Sequence, residues 1–132
     1  MTTISSETIN DPAIVAELTE VSDLYEQALV TNDIDTMTQL FWDGEPVSRF
    51  GVTENLYGPA EIEAFRKGRP LVNSEREILR REVVTFGNNT GSVTVEFQRP
   101  VQGILRHGRQ TQMWRKFPQG WKVVSAHVSF LP

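Results

Sequence analysis

Ile14, Leu18, Val21, Tyr25 and Ala28 follow one another at steps of four and three, the spacing of one face of an α-helix. Asn10-Asp11-Pro12 supplies its start, with Asp11 as cap and Pro12 in the first turn. The helix is expected to end near Thr31-Asn32, with Glu17, Glu20 and Glu26 on its wet side. Asp33 then caps a second, shorter helix over residues 34–41, with Met37, Leu40 and Phe41 turned inward. Asp43-Gly44 breaks that helix, and Glu45-Pro46 leads into a strand. There Val47 and Arg49 share one face, and Ser48 and Phe50 the other. Thr53-Glu54-Asn55 reads as a turn and Leu56-Tyr57 as a brief strand. A third helix runs from about Pro59 to Gly68, stopped by Pro70.

Beyond residue 75 the spacing changes to that of strands. Segments 77–86, 92–98, 105–117 and 121–130 alternate or are rich in β-branched and aromatic residues. The turns between them are 87–91, 100–103 and 118–120, short enough to predict an antiparallel meander. Helices followed by a meander give an α+β layer fold, a strongly curved sheet cupping the first helix around a conical cavity. The segment 105–117 is longer than the usual ~5–6 residues, as a bent strand crossing the whole sheet requires. Residues 1–10 are polar and expected to be flexible, leaving 11–132 as a single domain. The outer face of the sheet stays partly apolar, which predicts a homodimer.

Composition narrows the function more than the fold. The 132 residues contain no cysteine, so disulfides and thiolate chemistry are excluded. No apolar run approaches the ~18 residues of a membrane span, and MTTISSETIN lacks the basic and apolar regions of a secretory signal. A cytoplasmic protein without membrane partners is expected. The net charge of −4 hides an asymmetry: residues 1–48 carry ten acids and no Lys or Arg, whereas residues 49–132 carry all thirteen bases and seven acids. Ten of those bases are arginine, the side chain suited to two-pronged recognition of carboxylates. The same asymmetry also fits acidic helices facing a basic sheet. The acidic balance, with no basic run interleaved with aromatics, argues against nucleic acid.

There is no Gly-rich phosphate loop, dinucleotide fingerprint or nucleophile elbow. With only His107 and His127 and no cysteine, a histidine-based metal site is not expected, and no cofactor is indicated. What remains is a set of polar residues on otherwise inward faces. Tyr25 fits either a core tyrosine or a proton donor beside a guanidinium. Arg49 fits either an ion pair with an N-terminal acid or an anion clamp. Arg66 and Arg69 share a helix face with Ile62 and Phe65, as core-packing stems or as ligand-holding heads. Gln110, Gln112 and Trp114 share one strand face and would bind a planar polar ligand if that face is concave. Glu96 has the same ambiguity. His107, beside Gly108 near a turn, is expected to face solvent. His127 and Ser129 share a face of the last strand and fit the cavity mouth, with a satisfied structural histidine as the other reading of His127. Asn55 is a neutral hydrogen-bond candidate in the central stretch.

LYEQAL around Tyr25, LFW, RFGVTENLYGPAEIEAFR, GRQTQMW and GWKVVSAHVS together resemble the AtzH-like family. The ending alone is similar to the wider SnoaL-like superfamily, which includes nuclear transport factor 2. The resemblance implies a cystatin-like cone, a dimer, and association with amidase-signature enzymes in catabolism of nitrogen-rich ureides. It implies conversion of 1,3-dicarboxyurea to allophanate or a similar hydrolytic reaction in cyanuric acid catabolism, with Tyr25 and Arg49 as catalytic residues. On that basis Asn55, Arg66, Arg69, Gln110, Gln112 and His127 are expected to bind the small anionic substrate. The alternative is a non-catalytic metabolite-binding or assembly module that partners an amidase. Isomerase chemistry on an apolar ring fits poorly, because it calls for an apolar pocket with an Asp–His pair.

Overall fold

In the computed structural model, which describes residues 4–69 and 75–132, helix α1 (Pro12–Val30) starts at a side-chain cap. Ala13 and Ile14 donate their backbone N–H groups to the Asp11 carboxylate at 3.2 and 3.3 Å, satisfying donors that a helix start leaves open. Its buried stripe is Ile14, Leu18, Ser22, Tyr25 and Ala28. Helix α2 (Ile34–Leu40) buries Met37 and Leu40, and Phe41 behind it is also buried. Strands β1 (Ser48–Phe50) and β2 (Asn55–Tyr57) form a hairpin that feeds helix α3 (Gly58–Gly68). Pro70, read from the sequence as the stop of α3, lies outside the described residues. Strands β3 (Glu77–Phe86), β4 (Thr90–Val101), β5 (Ile104–Phe117) and β6 (Gly120–Phe130) complete the sheet.

The sheet order is β2-β1-β6-β5-β4-β3. The last four strands are the expected antiparallel meander, but β1 joins β6 in parallel, so the sheet is mixed. A three-residue strand carries too little pattern to announce its partner or direction. Strand β4 is longer at both ends than its sequence suggests. At its far end Gln102 (φ 52°) and Gly103 (φ 80°) form a two-residue turn with positive φ at both positions, which suits the twist of the flanking strands.

Residues 4–10, expected to be loose, lie along the outer strand β3. Gly87 donates its N–H to the Thr8 carbonyl at 2.8 Å, Asn10 to the Thr85 carbonyl at 3.0 Å, and Thr85 to the Asn10 side chain at 2.9 Å. The segment satisfies part of an edge that would otherwise present unpaired backbone groups. Among the described residues, no helix is long and apolar enough to cross a membrane.

The core lies between α1, α2 and the concave face of the sheet. Trp114, Phe97, Val93 and Val123 from the sheet meet Leu18, Tyr25 and Met37, each 5% exposed or less. Tyr25 sits with its ring 5.9 Å from Phe41 and edge-on to Trp114 at 6.4 Å. One irregularity matters for the site. Met113 pairs with Ser125 but Trp114 pairs with Val123, so Val124 is an extra residue in β6. Such a bulge reverses which residues face inward. Trp121 and Val123 point to the core before it, and Ala126, Val128 and Phe130 line the cavity after it.

Candidate functional site

Between α1, the end of α3 and the far half of the sheet is a cavity of about 210 Å³. That is below the ~300 Å³ at which drug-sized pockets begin, so it suits a small metabolite. Tyr25 reaches it from α1 and Arg49 from β1; Glu54 comes from the β1–β2 turn and Arg69 from the residue after α3. Arg99, Gln110 and Gln112 come from the concave face of β4 and β5, and Arg76 from just before β3.

The two glutamines are on the concave face as one of the two sequence alternatives required, because Trp114 on the same face packs against Tyr25 of α1. Four other expectations are corrected. Arg66 does not line the cavity: it is 2% exposed and lies behind Tyr25, donating from Nη2 to the tyrosine oxygen at 3.5 Å and stacking 4.4 Å over Phe41. Asn55 is exposed and outside the cavity lining, because in the short hairpin it pairs with Phe50 at the sheet's outermost strand. The bulge at Val124 turns His127 and Ser129 toward an open groove on the outer face. His127 nonetheless also lines the cavity, as expected, with its ring edge-on to Phe50 at 5.9 Å. His107, read as solvent-facing, is half-buried on that outer face with Nε2 2.8 Å from Glu96.

Near Tyr25 the cavity is strongly positive. Arg49 and Arg69 both lie over the Phe65 ring, at 5.3 and 5.8 Å. Burial lowers the pKa of Arg69 from its ordinary value, and the neighbouring Arg49 lowers it further. Burial likewise lowers that of Arg66, opposed by Tyr25 and reinforced by Arg49. A guanidinium nonetheless stays protonated. Glu54 is the single carboxylate on the cavity wall among the described residues, accepting from Arg49 Nη1 at 3.0 Å and from the Thr53 hydroxyl at 2.8 Å. Three guanidiniums against one carboxylate leave this end two charges positive.

The opposite end is built on Phe97. Its ring lies flat over Gly108, where an added Cβ would fall 2.1 Å from a ring carbon, so only glycine admits it. Arg76 stacks 4.2 Å above that ring, donates to both Glu26 oxygens at 2.7 and 2.6 Å, and donates from Nη1 to Gln110 Oε1 at 3.2 Å.

These contacts fix the polarity of the wall. Arginine and indole N–H groups only donate, so the glutamine atom facing each must be oxygen. Gln110 Oε1 is taken by Arg76, and Gln112 Oε1 accepts from Trp114 Nε1 at 3.1 Å. Both amide NH₂ groups are therefore the free ends. Tyr25 accepts from Arg66, so its own hydrogen is free to be donated. Apart from Glu54, and leaving aside the imidazole of His127 at the border, the polar side chains of the wall offer donors. The complementary ligand is small, anionic and rich in acceptors.

Arg76, Arg99 and Glu54 were not singled out from sequence. Arg99 had a signal, since it continues the alternation Val93, Val95, Phe97 onto the concave face. Glu54 lies in a turn and Arg76 outside any periodic segment, and neither carries one.

The sequence profile of the AtzH-like family matches residues 7–132. A crystallised protein of unknown function from Pectobacterium atrosepticum is 37% identical, with a TM-score of 0.91 over 98% of this chain and 99% of that one. A cystatin-like fold protein from Burkholderia xenovorans is 38% identical, with a TM-score of 0.87 over 95% and 98% of the two chains. An NTF2-like protein of unknown function from Pseudomonas putida, 17% identical with a TM-score of 0.79 over 90% and 87%, shares the fold. No curated protein matches the chain.

Proposed function

The chain belongs to the AtzH-like family, and on that premise we propose that its cavity takes a small carboxylated urea and cleaves a carbon–nitrogen bond without a metal. The observation that carries this is the donor-rich wall with its excess of guanidinium, which matches carboxylate and carbonyl oxygens. Arg49 and Arg69 hold one carboxylate and polarise the adjacent carbonyl. Glu54, the one acceptor carboxylate on the wall among the described residues, receives a urea N–H. Tyr25 gives its hydroxyl proton to the nitrogen bearing the carboxyl group. The carbon–nitrogen bond breaks with its electron pair going to nitrogen, carbon dioxide leaves, and water returns a proton to the tyrosine oxygen, the hydroxide so formed combining with carbon dioxide as bicarbonate. Meanwhile the Arg66 hydrogen bond stabilises that oxygen. 1,3-Dicarboxyurea, giving allophanate, is the first substrate to test, with an amidase as the enzyme that consumes the product.

Incubation with a panel of N-carboxylated ureas, followed by mass spectrometry, should show loss of one carboxyl group. Arg49→Ala should raise the ligand Kd by roughly 10–100-fold, the worth of a charge-assisted hydrogen bond. Saturable binding with no product from any of the ureas would instead leave a metabolite-binding module.

The second part of the proposal is a homodimer through the outer sheet face. There Ser48, Arg109, Thr111, Met113 and Ser125 border an open groove of about 540 Å³. Sedimentation should give twice 15.0 kDa; a monomer at micromolar concentration would rule this interface out.

A further inference from the structure

We infer that Arg99 forms a second anion subsite, at the end of the cavity away from Arg49, so that the ligand is a dianion spanning the two. This rests on the proposal that the Arg49 end binds the first carboxylate.

The placement follows from register. Arg49 pairs with Ala126, Ala126 with Gln112, and Gln112 with Val93, so these four lie in one row across the sheet. Arg99 is six residues further along β4 than Val93 and on the same concave face. The two arginines therefore approach one cavity from opposite ends.

Three observations mark Arg99 as a ligand group. Its Nε is buried and has no hydrogen-bond partner, in contrast to the paired guanidiniums of Arg49 and Arg76. Leaving a buried donor unpaired is costly. Among the described residues no hydrogen bond or ion pair holds the Arg99 guanidinium, so it is free to turn toward an acceptor on a bound ligand. Second, Arg99 lies directly opposite Arg106 in the β4–β5 ladder. Like charges at such a pair repel, and among the described residues no carboxylate lies within 4.0 Å of either. Arg106 is itself committed, stacking 4.6 Å over Phe130 and donating to the Leu131 carbonyl at 3.2 Å. Third, the free NH₂ of Gln110 lies on the same wall, its orientation fixed by Arg76. The remaining candidates for a second carboxylate are less suitable. Arg66 is enclosed behind Tyr25, and Arg69 shares the Phe65 ring with Arg49 and so belongs to the first end.

The test is calorimetric titration of the intact chain with succinate, glutarate and adipate, each beside its own monoamide, which differs by one charge. Wild type should bind at least one diacid about tenfold or more tighter than its monoamide. Arg99→Gln should bring that diacid to the monoamide level and leave the monoamide Kd unchanged, and Arg99→Lys should restore part of the preference. A full diacid preference in Arg99→Gln, or no preference in wild type, overturns the inference while leaving the Arg49 reading intact. If Arg49→Ala leaves every Kd unchanged but Arg99→Gln removes the preference, the Arg49 reading fails and the Arg99 subsite stands.

Discussion

Tyr25→Phe is expected to leave ligand binding within a few-fold of wild type and to slow turnover by about 10²–10⁴-fold, the usual worth of a positioned proton donor. The ring should stay where it is, because its position is set by Phe41 and Trp114 and not by the hydroxyl. Only the oxygen is lost, and with it a 3.5 Å contact from Arg66, so the stability cost should be about 1 kcal/mol. Binding and turnover therefore separate. A carboxylate held by Arg49 and Arg69 does not depend on the phenol, whereas protonation of the leaving nitrogen does. Measuring Kd by calorimetry and kcat by product release on the same preparation checks this. Turnover near wild type would remove Tyr25 from the chemistry and point to a water as the proton source.

Much of this site could be read in the chain, and the parts that could not share a physical cause. Tyr25, Arg49 and Arg69 sit on elements whose inward face is declared by flanking apolar residues, and each lines the cavity. Arg66 obeys the same helical rule but lies deeper, since its stem and head fill the space between Phe41 and Tyr25. Periodicity gives direction and not depth. Gln110 and Gln112 had the right alternation, but which face of β5 is concave depends on where α1 packs, a contact distant in sequence. Ser129 was displaced from the cavity by one extra residue, and nothing in GWKVVSAHVS distinguishes a bulge at Val124 from a regular strand. Glu26, assigned to the wet side of α1, is the counter-ion of Arg76, fifty residues away. The α+β architecture survived all of this because it rests on spacing summed over whole elements, while site residues depend on single contacts.

The Arg76–Glu26 pair gives the largest expected effect on stability. The Arg76 side chain is 4% exposed and that of Glu26 25%. Glu26→Gln should leave a buried guanidinium without its counter-charge, at a cost of roughly 2–4 kcal/mol, read as a lower urea midpoint. Arg76→Met removes the charge instead and keeps an apolar stem on Phe97, so it should cost less than about 1.5 kcal/mol. Its effect should appear in binding. Without the Arg76 donor the Gln110 amide is free to turn its oxygen toward the cavity, and an anion meets an acceptor where it had met N–H groups. The double variant separates the two contributions. If the cost of Glu26→Gln is the unpaired charge, adding Arg76→Met should recover most of the lost stability, while ligand affinity stays as weak as in Arg76→Met alone. A double variant as unstable as Glu26→Gln would instead show that the Glu26 side chain stabilises α1 by contacts of its own. Full affinity in Arg76→Met would show that Gln110 does not need Arg76 to present its amide.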